Sequence, residues 1–196
     1  MDNTKIGSVE EKVRNRLGIS QEEFNKFIDK KFVTAPGKDG EELYMFRNFV
    51  TTEVAPGQYT NKGKYMVFNS NGEYVAWLEA FVENTKTANS VEIEYLTNEE
   101  HRGKGIIHVG LDKVLEDIFV DSSYDDLTVK TIFPKTKIES VSLAISKENE
   151  ASKRVAQKSG FTLNEKTGAY QITKTEFLKQ KGILANKQRK EDLDEI

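Results

Sequence analysis

Two glycines separated by a single residue, Gly103 and Gly105, lie between a strand-like segment and a helix-like segment. Glycine lacks a Cβ atom, so a ligand can approach the backbone N–H groups closely, and the start of a helix carries the positive end of its dipole. Arg102 and Lys104 add side-chain positive charge beside the glycines. This combination predicts an anion site that suits phosphate groups.

Two carboxylates precede this turn in the same predicted strand. Glu92 and Glu94 alternate with apolar residues, so both side chains leave one face of the strand. Two neighbouring carboxylates can raise the pKa of one of them toward neutrality and can attract a cation. We therefore expect Glu94, and after it Glu92, as candidates for a general base. A solvated sheet face is the competing interpretation.

A second polar pair lies further along the chain. Asn149 and Ser152 are three residues apart in a segment with helical periodicity, which places them on one helix face. Both side chains can therefore address one ligand. A surface or packing role is the competing interpretation for Ser152. We expect the aromatic side chains of Trp77, Phe81 and Tyr170 in the core rather than in the wall of a substrate pocket.

The pattern around these residues predicts the elements that position them. Helices are expected at residues 8–17, 20–32, 103–119 and 148–159, and strands at 43–50, 65–69, 74–82, 91–97, 127–133, 140–145, 161–164 and 169–173. This order is typical of an α/β or α+β domain with a single mixed, mostly antiparallel central sheet flanked by helices. We expect that domain at residues 41–181, a helical extension at 1–40 and a charged tail at 182–196.

Composition excludes several kinds of protein. The 196 residues carry 29 basic and 32 acidic side chains, so the broad basic surface that nucleic acid requires is not expected. Two histidines and no cysteine argue against a metal site. No apolar run approaches the roughly 20 residues that span a bilayer, so no membrane partner is expected. The first residues lack the apolar core of a signal peptide, which favours a cytoplasmic location.

Two segments together resemble the GNAT acetyltransferase superfamily, and more closely its branch of ribosomal-protein-alanine and spermidine N-acetyltransferases. Residues 91–106 are similar to that branch's E-I-x-Y strand followed by R-G-K-G, and residues 149–161 are similar to its N-x-x-S-x-x-V-x-x-K-x-G-F signature. The resemblance implies a GNAT-like acyl-CoA acyltransferase fold. It also implies an N-acetyltransferase that moves an acetyl group from its cosubstrate acetyl-CoA to a primary amine of a small molecule, peptide or protein.

The same resemblance assigns parts of acetyl-CoA to individual residues. The family's pyrophosphate cradle matches the backbone amides of Arg102, Gly103, Lys104, Gly105 and Ile106. The backbone of Leu96 and Thr97 matches the strand that pairs with the pantetheine arm. The family uses the residue equivalent to Asn149 to bind that arm and the residue equivalent to Ser152 near the sulfur, which makes Ser152 the candidate general acid. The resemblance implies no metal.

Departures from the family pattern keep other functions open. Glu100 occupies the position of a usual phosphate donor, and Ala156 the position where many members have a tyrosine that protonates the thiolate. Residues 51–64, between the first two predicted strands, are too few for the helices that usually cover the acceptor site. A noncatalytic CoA-binding or protein-interaction module is therefore the alternative, and a protein that binds another nucleotide is a third. The acceptor amine and the oligomeric state, including a homodimer, are left open.

Overall fold

The computed structural model describes residues 3–27, 29–36, 42–55, 58–82, 89–120 and 138–183. The helices in these ranges are α1 (Asn3–Leu17), α2 (Gln21–Phe27), α3 (Ile106–Phe119), α4 (Glu150–Lys158) and α5 (Lys174–Gln180). The strands are β1 (Asp29–Pro36), β2 (Glu42–Ala55), β3 (Gln58–Phe68), β4 (Tyr74–Val82), β5 (Ser90–Thr97), β6 (Ser140–Leu143), β7 (Thr162–Leu163) and β8 (Tyr170–Thr173). A short 3₁₀ helix, Glu99–His101, precedes α3.

All eight strands form one mixed sheet in the order β1-β2-β3-β4-β5-β6-β8-β7. The neighbours pair antiparallel except β5 and β6, which run parallel. This parallel pairing requires a crossover, and α3 lies in the chain between the two strands. The predicted fold class is confirmed.

The parallel pair is short, and this shapes the site. Its pairing covers only three residues of each strand, from Ser90 opposite Ser140 to Glu92 opposite Ser142. Strand β5 continues to Thr97 and keeps its antiparallel pairing with β4 as far as the pair of Thr97 and Ala76. Beyond Glu92, the two parallel strands therefore separate and leave a gap in the sheet.

Two clusters of buried apolar side chains cover opposite faces of the sheet. The larger cluster packs α3 against the sheet through the apolar stripe that the sequence predicts, which consists of Ile107, Leu111, Val114, Leu115 and Ile118. The smaller cluster packs α1 and α2 through Val9, Val13 and Phe24 onto the aromatic rings of Phe46 and Phe68. Helices thus cover both faces of the sheet, and α3 packs against β4 and β5 at its centre.

Local sequence signals define several element ends. The predicted capping box at the start of α2 is present, because Ser20 N donates to Glu23 Oε2 at 2.8 Å and Glu23 N donates to Ser20 Oγ at 3.2 Å. The predicted turn between β3 and β4 closes through Gly72 N, which donates to Asn69 O at 2.9 Å. Gly72 has a φ of 73°, a conformation that favours glycine.

One predicted element is wrong. The expected helix at 20–32 ends at Phe27, and residues Asp29–Pro36 instead form β1, which pairs with β2 from Asp29 opposite Arg47 to Pro36 opposite Glu42. The free edge of β2 supplies hydrogen-bond partners that a longer helix would leave unused. The proposed domain boundary at residue 40 therefore falls after a strand of the sheet. The predicted strand at 127–133 and most of the tail at 182–196 lie outside the described residues.

Candidate active site

The turn between β5 and α3 presents a row of backbone N–H groups. Gly103 and Gly105 both have a φ of 78°, and the backbone turns into α3 with Gly105 as its N-cap. Within the described part of the chain, no protein acceptor engages the N–H groups of residues 103–106, and no side chain caps α3. The Arg102 amide differs, because it donates to Glu99 O at 3.2 Å. Four of the five amides predicted for the cradle therefore remain available to an anion.

Basic side chains surround these amides. The Arg102 guanidinium lies 3.4 Å from the Glu99 carboxylate, and both side chains are exposed. Such an exposed ion pair contributes little to stability, so an anionic ligand can replace Glu99 at small cost. The Nζ atom of Lys104 lies 3.4 Å from Nδ1 of His101. The turn thus combines open amides with mobile positive charge, as the sequence predicts.

A pocket of about 410 Å³ connects this turn to the start of α4. It is lined by Tyr95, Leu96, Thr97, Arg102, Gly103, Ile107, Asn149, Ala151, Ser152 and Val155. The backbone of β5 beyond Glu92 borders the pocket with the edge that β6 no longer covers. These features fit an elongated ligand with an anionic end at α3 and an amide-containing arm along β5.

Asn149 and Ser152 are brought together, although not through a shared helix face. Asn149 is the N-cap of α4, and its Oδ1 atom accepts a hydrogen bond from Ser152 N at 3.0 Å. This contact uses the amide oxygen of Asn149 for the helix and leaves its NH₂ group as the donor for a ligand. Among the described residues, no hydrogen bond engages the Ser152 hydroxyl.

A second pocket of about 270 Å³ adjoins the first at the gap between β5 and β6. Its lining consists of Trp77, Ile93, Glu94, Tyr95, Leu96, Leu143, Ala144, Ile145, Ser146, Asn149 and Ser152. Four residues line both pockets: Tyr95, Leu96, Asn149 and Ser152. The gap therefore joins the cradle at α3 to a second chamber that contains a carboxylate.

Two carboxylates next to this second pocket, those of Glu79 and Glu94, differ in their ion pairing. Glu94 is exposed and lies opposite Glu79 on β4. The Glu79 carboxylate is 3.3 Å from the ammonium group of Lys62, whereas no ion pair compensates Glu94 among the described residues. The ammonium group of Lys64 lies over the Trp77 ring, 5.6 Å from its centroid. The pocket wall therefore carries a carboxylate without an ion pair among the described residues, Glu94, and an aromatic ring, Trp77, that the Lys64 ammonium covers on one side.

The structure separates the two predicted carboxylates. Both lie on the sheet face opposite the buried side chains of Val91 and Ile93, as alternation predicts. Glu94 lines the second pocket, but Glu92 is half-buried in the paired part of β5 and lines neither pocket. Trp77 is a correction to the expected core assignment, because it is half-buried and lines the second pocket.

Sequence reasoning missed Tyr95 and the segment after β6. Tyr95 is half-buried at the junction of the two pockets, and its hydroxyl donates to Ser152 O across a long 3.4 Å. Burial, the larger effect, raises the pKa of its phenol, and the contact with Ser152 lowers it. The tyrosine of the E-I-x-Y strand was the available signal. The sequence of residues 144–146 contains no such signal, because these residues line the second pocket only as a result of where the chain leaves the sheet after β6.

Other kinds of site find no support in the described ranges. No cluster of three or more histidine and acidic side chains there is arranged to hold a metal ion. None of the helices described has the length and apolar character needed to cross a membrane. A cytoplasmic location stays a prediction.

A family model described as the acetyltransferase (GNAT) domain matches residues 16–162. No curated protein matches the chain. Among solved structures, the chain is similar to a spermidine N-acetyltransferase from Vibrio cholerae in complex with CoA and spermine, with 15% identity, 60% of this chain and 68% of that chain covered, and a TM-score of 0.45. A dodecameric structure of spermidine N-acetyltransferase from the same organism matches with 17% identity, coverages of 61% and 68%, and a TM-score of 0.44.

Proposed function

We propose that this chain, which belongs to the GNAT acetyltransferase family, acetylates a primary amine that reaches the active site as a cation. The match over residues 16–162 confirms the predicted family, fold and enzyme class, an acetyl-CoA-dependent N-acetyltransferase. The acceptor and the roles of individual residues are our proposals. They rest on one observation: the two pockets share Tyr95, Leu96, Asn149 and Ser152, and together they form a passage with open amides beside the first pocket and Glu94 beside the second.

Acetyl-CoA fits the first pocket through its two kinds of polar group. The amides of residues 103–106 and the side chains of Arg102 and Lys104 would hold the pyrophosphate, because oriented N–H groups at a helix start stabilise negative charge. The uncovered edge of Leu96 and Thr97 would pair with the pantetheine amides. The Asn149 NH₂ group would bind the same arm. The thioester then lies near Ser152, where the two pockets join.

The second pocket suits a cationic amine. Glu94 attracts the ammonium form because its carboxylate is exposed to the pocket and forms no ion pair among the described residues. The Trp77 ring beside it can contact the methylene groups next to the amine. Attack requires the neutral amine, so a proton must leave the nitrogen first, and we propose that Glu94 accepts it. Glu92 has no part in this proposal because it lines neither pocket.

Ser152 is proposed as a hydrogen-bond donor to the sulfur. Its hydroxyl is not engaged by any other described residue, and it lies beside the passage. A donor held at this position stabilises the charge that develops on sulfur as the carbon–sulfur bond breaks. The protein needs no metal for this reaction, because a thioester is already activated toward amines.

The test is steady-state release of CoA thiol from acetyl-CoA across a panel of amines, which includes diamines, monoamines and uncharged analogues. We expect turnover with cationic amines. Glu94→Gln should lower kcat/KM by about 100-fold, within the range of a lost general base. Glu92→Gln is the matched control and should keep kcat/KM close to that of the wild type. CoA binding without thiol release from any amine would contradict the proposed catalysis and favour the noncatalytic alternative.

A further inference from the structure

The side chain of Tyr95 occupies the junction between the two pockets. It belongs to the small set of residues that line both, together with Leu96, Asn149 and Ser152. Its ring packs beside the larger apolar cluster, while its hydroxyl reaches the first turn of α4 and contacts Ser152 O. At 3.4 Å this contact is too long to hold the hydroxyl firmly. The phenol can therefore turn toward a better acceptor in the passage.

The reaction needs an acid at this junction. The departing thiolate must gain a proton, and Ala156, at the family's tyrosine position, has no proton to give and is fully buried. A phenol, with a reference pKa of about 10, is a much stronger acid than an aliphatic hydroxyl such as that of Ser152, so of the two groups Tyr95 is the better proton donor to the departing thiolate. Burial keeps the Tyr95 phenol protonated across the neutral range, because it raises the pKa.

We propose that Tyr95 is the general acid of the acetyl transfer, whereas Ser152 donates a hydrogen bond to the sulfur without giving up its proton. This inference rests on the proposed function. In the step, the amine nitrogen forms a bond to the thioester carbon, and the carbon–sulfur bond breaks with its electron pair on sulfur. The phenol proton of Tyr95 moves to that sulfur, which yields free CoA thiol. Glu94 takes the proton that the amine loses, and solvent returns a proton to the Tyr95 oxygen.

The experiment compares Tyr95→Phe with Tyr74→Phe, a control that removes a phenol from the neighbouring strand β4 outside both pockets. Tyr95→Phe should lower kcat by about 100-fold or more, as expected for loss of an acid catalyst, with KM for acetyl-CoA within about threefold of wild type. Tyr74→Phe should leave both constants unchanged. Ser152→Ala should lower kcat by about tenfold, the equivalent of one hydrogen bond.

A fluorinated side chain separates acid catalysis from packing. Tyr95→3-fluorotyrosine keeps the shape of the ring and makes the phenol more acidic, so kcat should change with the acidity of the phenol and KM should not. The assignment of Tyr95 would be overturned if Tyr95→Phe left kcat unchanged or if fluorination of Tyr95 left kcat unchanged. Turnover by the wild-type protein would still support the proposed function in either case. Absence of turnover in the wild-type protein would overturn both.

Discussion

The most direct test of the phosphate cradle is Gly103→Ala, because the structure lets its two effects be separated. Gly103 has a φ of 78°, and a Cβ atom added to it would meet no other atom within 4 Å. The substitution therefore creates no clash inside the protein. It costs conformational strain of about 1–2 kcal/mol, the usual penalty for a left-handed residue with a side chain. A new methyl group also occupies the space through which a phosphate would approach the amides.

Gly168→Ala is the matched control. Gly168 lies in the turn before β8 with a φ of 74°, and its added Cβ atom would also meet nothing within 4 Å. Both variants should therefore lose similar stability, which thermal or urea unfolding can measure. Only Gly103→Ala should lose affinity for CoA. Loss of one hydrogen bond between an amide and a charged phosphate, worth about 1.5–3 kcal/mol, corresponds to a Kd increase of about 10- to 150-fold.

Isothermal titration calorimetry with CoA measures this difference directly. Pantetheine, the thiol arm of CoA without its phosphates, provides a second probe. Because it lacks the pyrophosphate, it should bind both variants equally. If Gly103→Ala binds CoA as tightly as Gly168→Ala does, the amides of the turn do not hold the pyrophosphate. The reasoning from open N–H groups to acetyl-CoA binding would then be wrong.

Two further predictions concern stability. The buried Arg47 guanidinium lies 2.6 Å from the Asp117 carboxylate and joins β2 to α3. Arg47→Met leaves that carboxylate without its partner and should lower the free energy of unfolding, measured by urea titration, by about 3–5 kcal/mol. Combining Arg47→Met with Asp117→Leu removes both charges and should recover most of this loss. Nδ1 of His108 lies 2.8 Å from Oγ of the buried Ser159, and burial, the largest cause, lowers the His108 pKa. The folded state therefore favours neutral His108, so this stabilisation is present above the unfolded pKa of about 6.5 and declines as the pH falls through the folded pKa. His108→Gln should flatten the pH dependence of unfolding in that window, and an unchanged slope would contradict the assignment.

Local signals in the sequence were sufficient for the parts of the site that depend on neighbouring residues. Gly103 and Gly105 predicted the turn, because their backbone conformation is one that other residues rarely adopt. The spacing of apolar residues predicted which face of α3 is buried. The pairing of Asn149 with Ser152 was also predicted, although its cause is an N-cap rather than a shared helix face.

Pairing between strands that are distant in the sequence decided two features that local signals could not predict: strand β1 and the separation of β5 from β6. The segment after Phe27 has helical spacing, yet it forms β1 because the edge of β2 offers hydrogen bonds that are distant in the sequence. The separation of β5 from β6 after Glu92 likewise depends on how α3 and the chain beyond Leu143 pack. No periodicity in either strand encodes the point at which two parallel neighbours part.

The sequence by itself determined which groups of this region can do chemistry. It specified a glycine turn whose amides can bind an anion and two carboxylates on one face of the strand before that turn. Only the tertiary structure decided that Glu94 rather than Glu92 borders the passage and that Tyr95 reaches its centre. The physical reason is that side-chain direction within a strand follows a local two-residue period, whereas access to a pocket depends on which neighbouring strand is present.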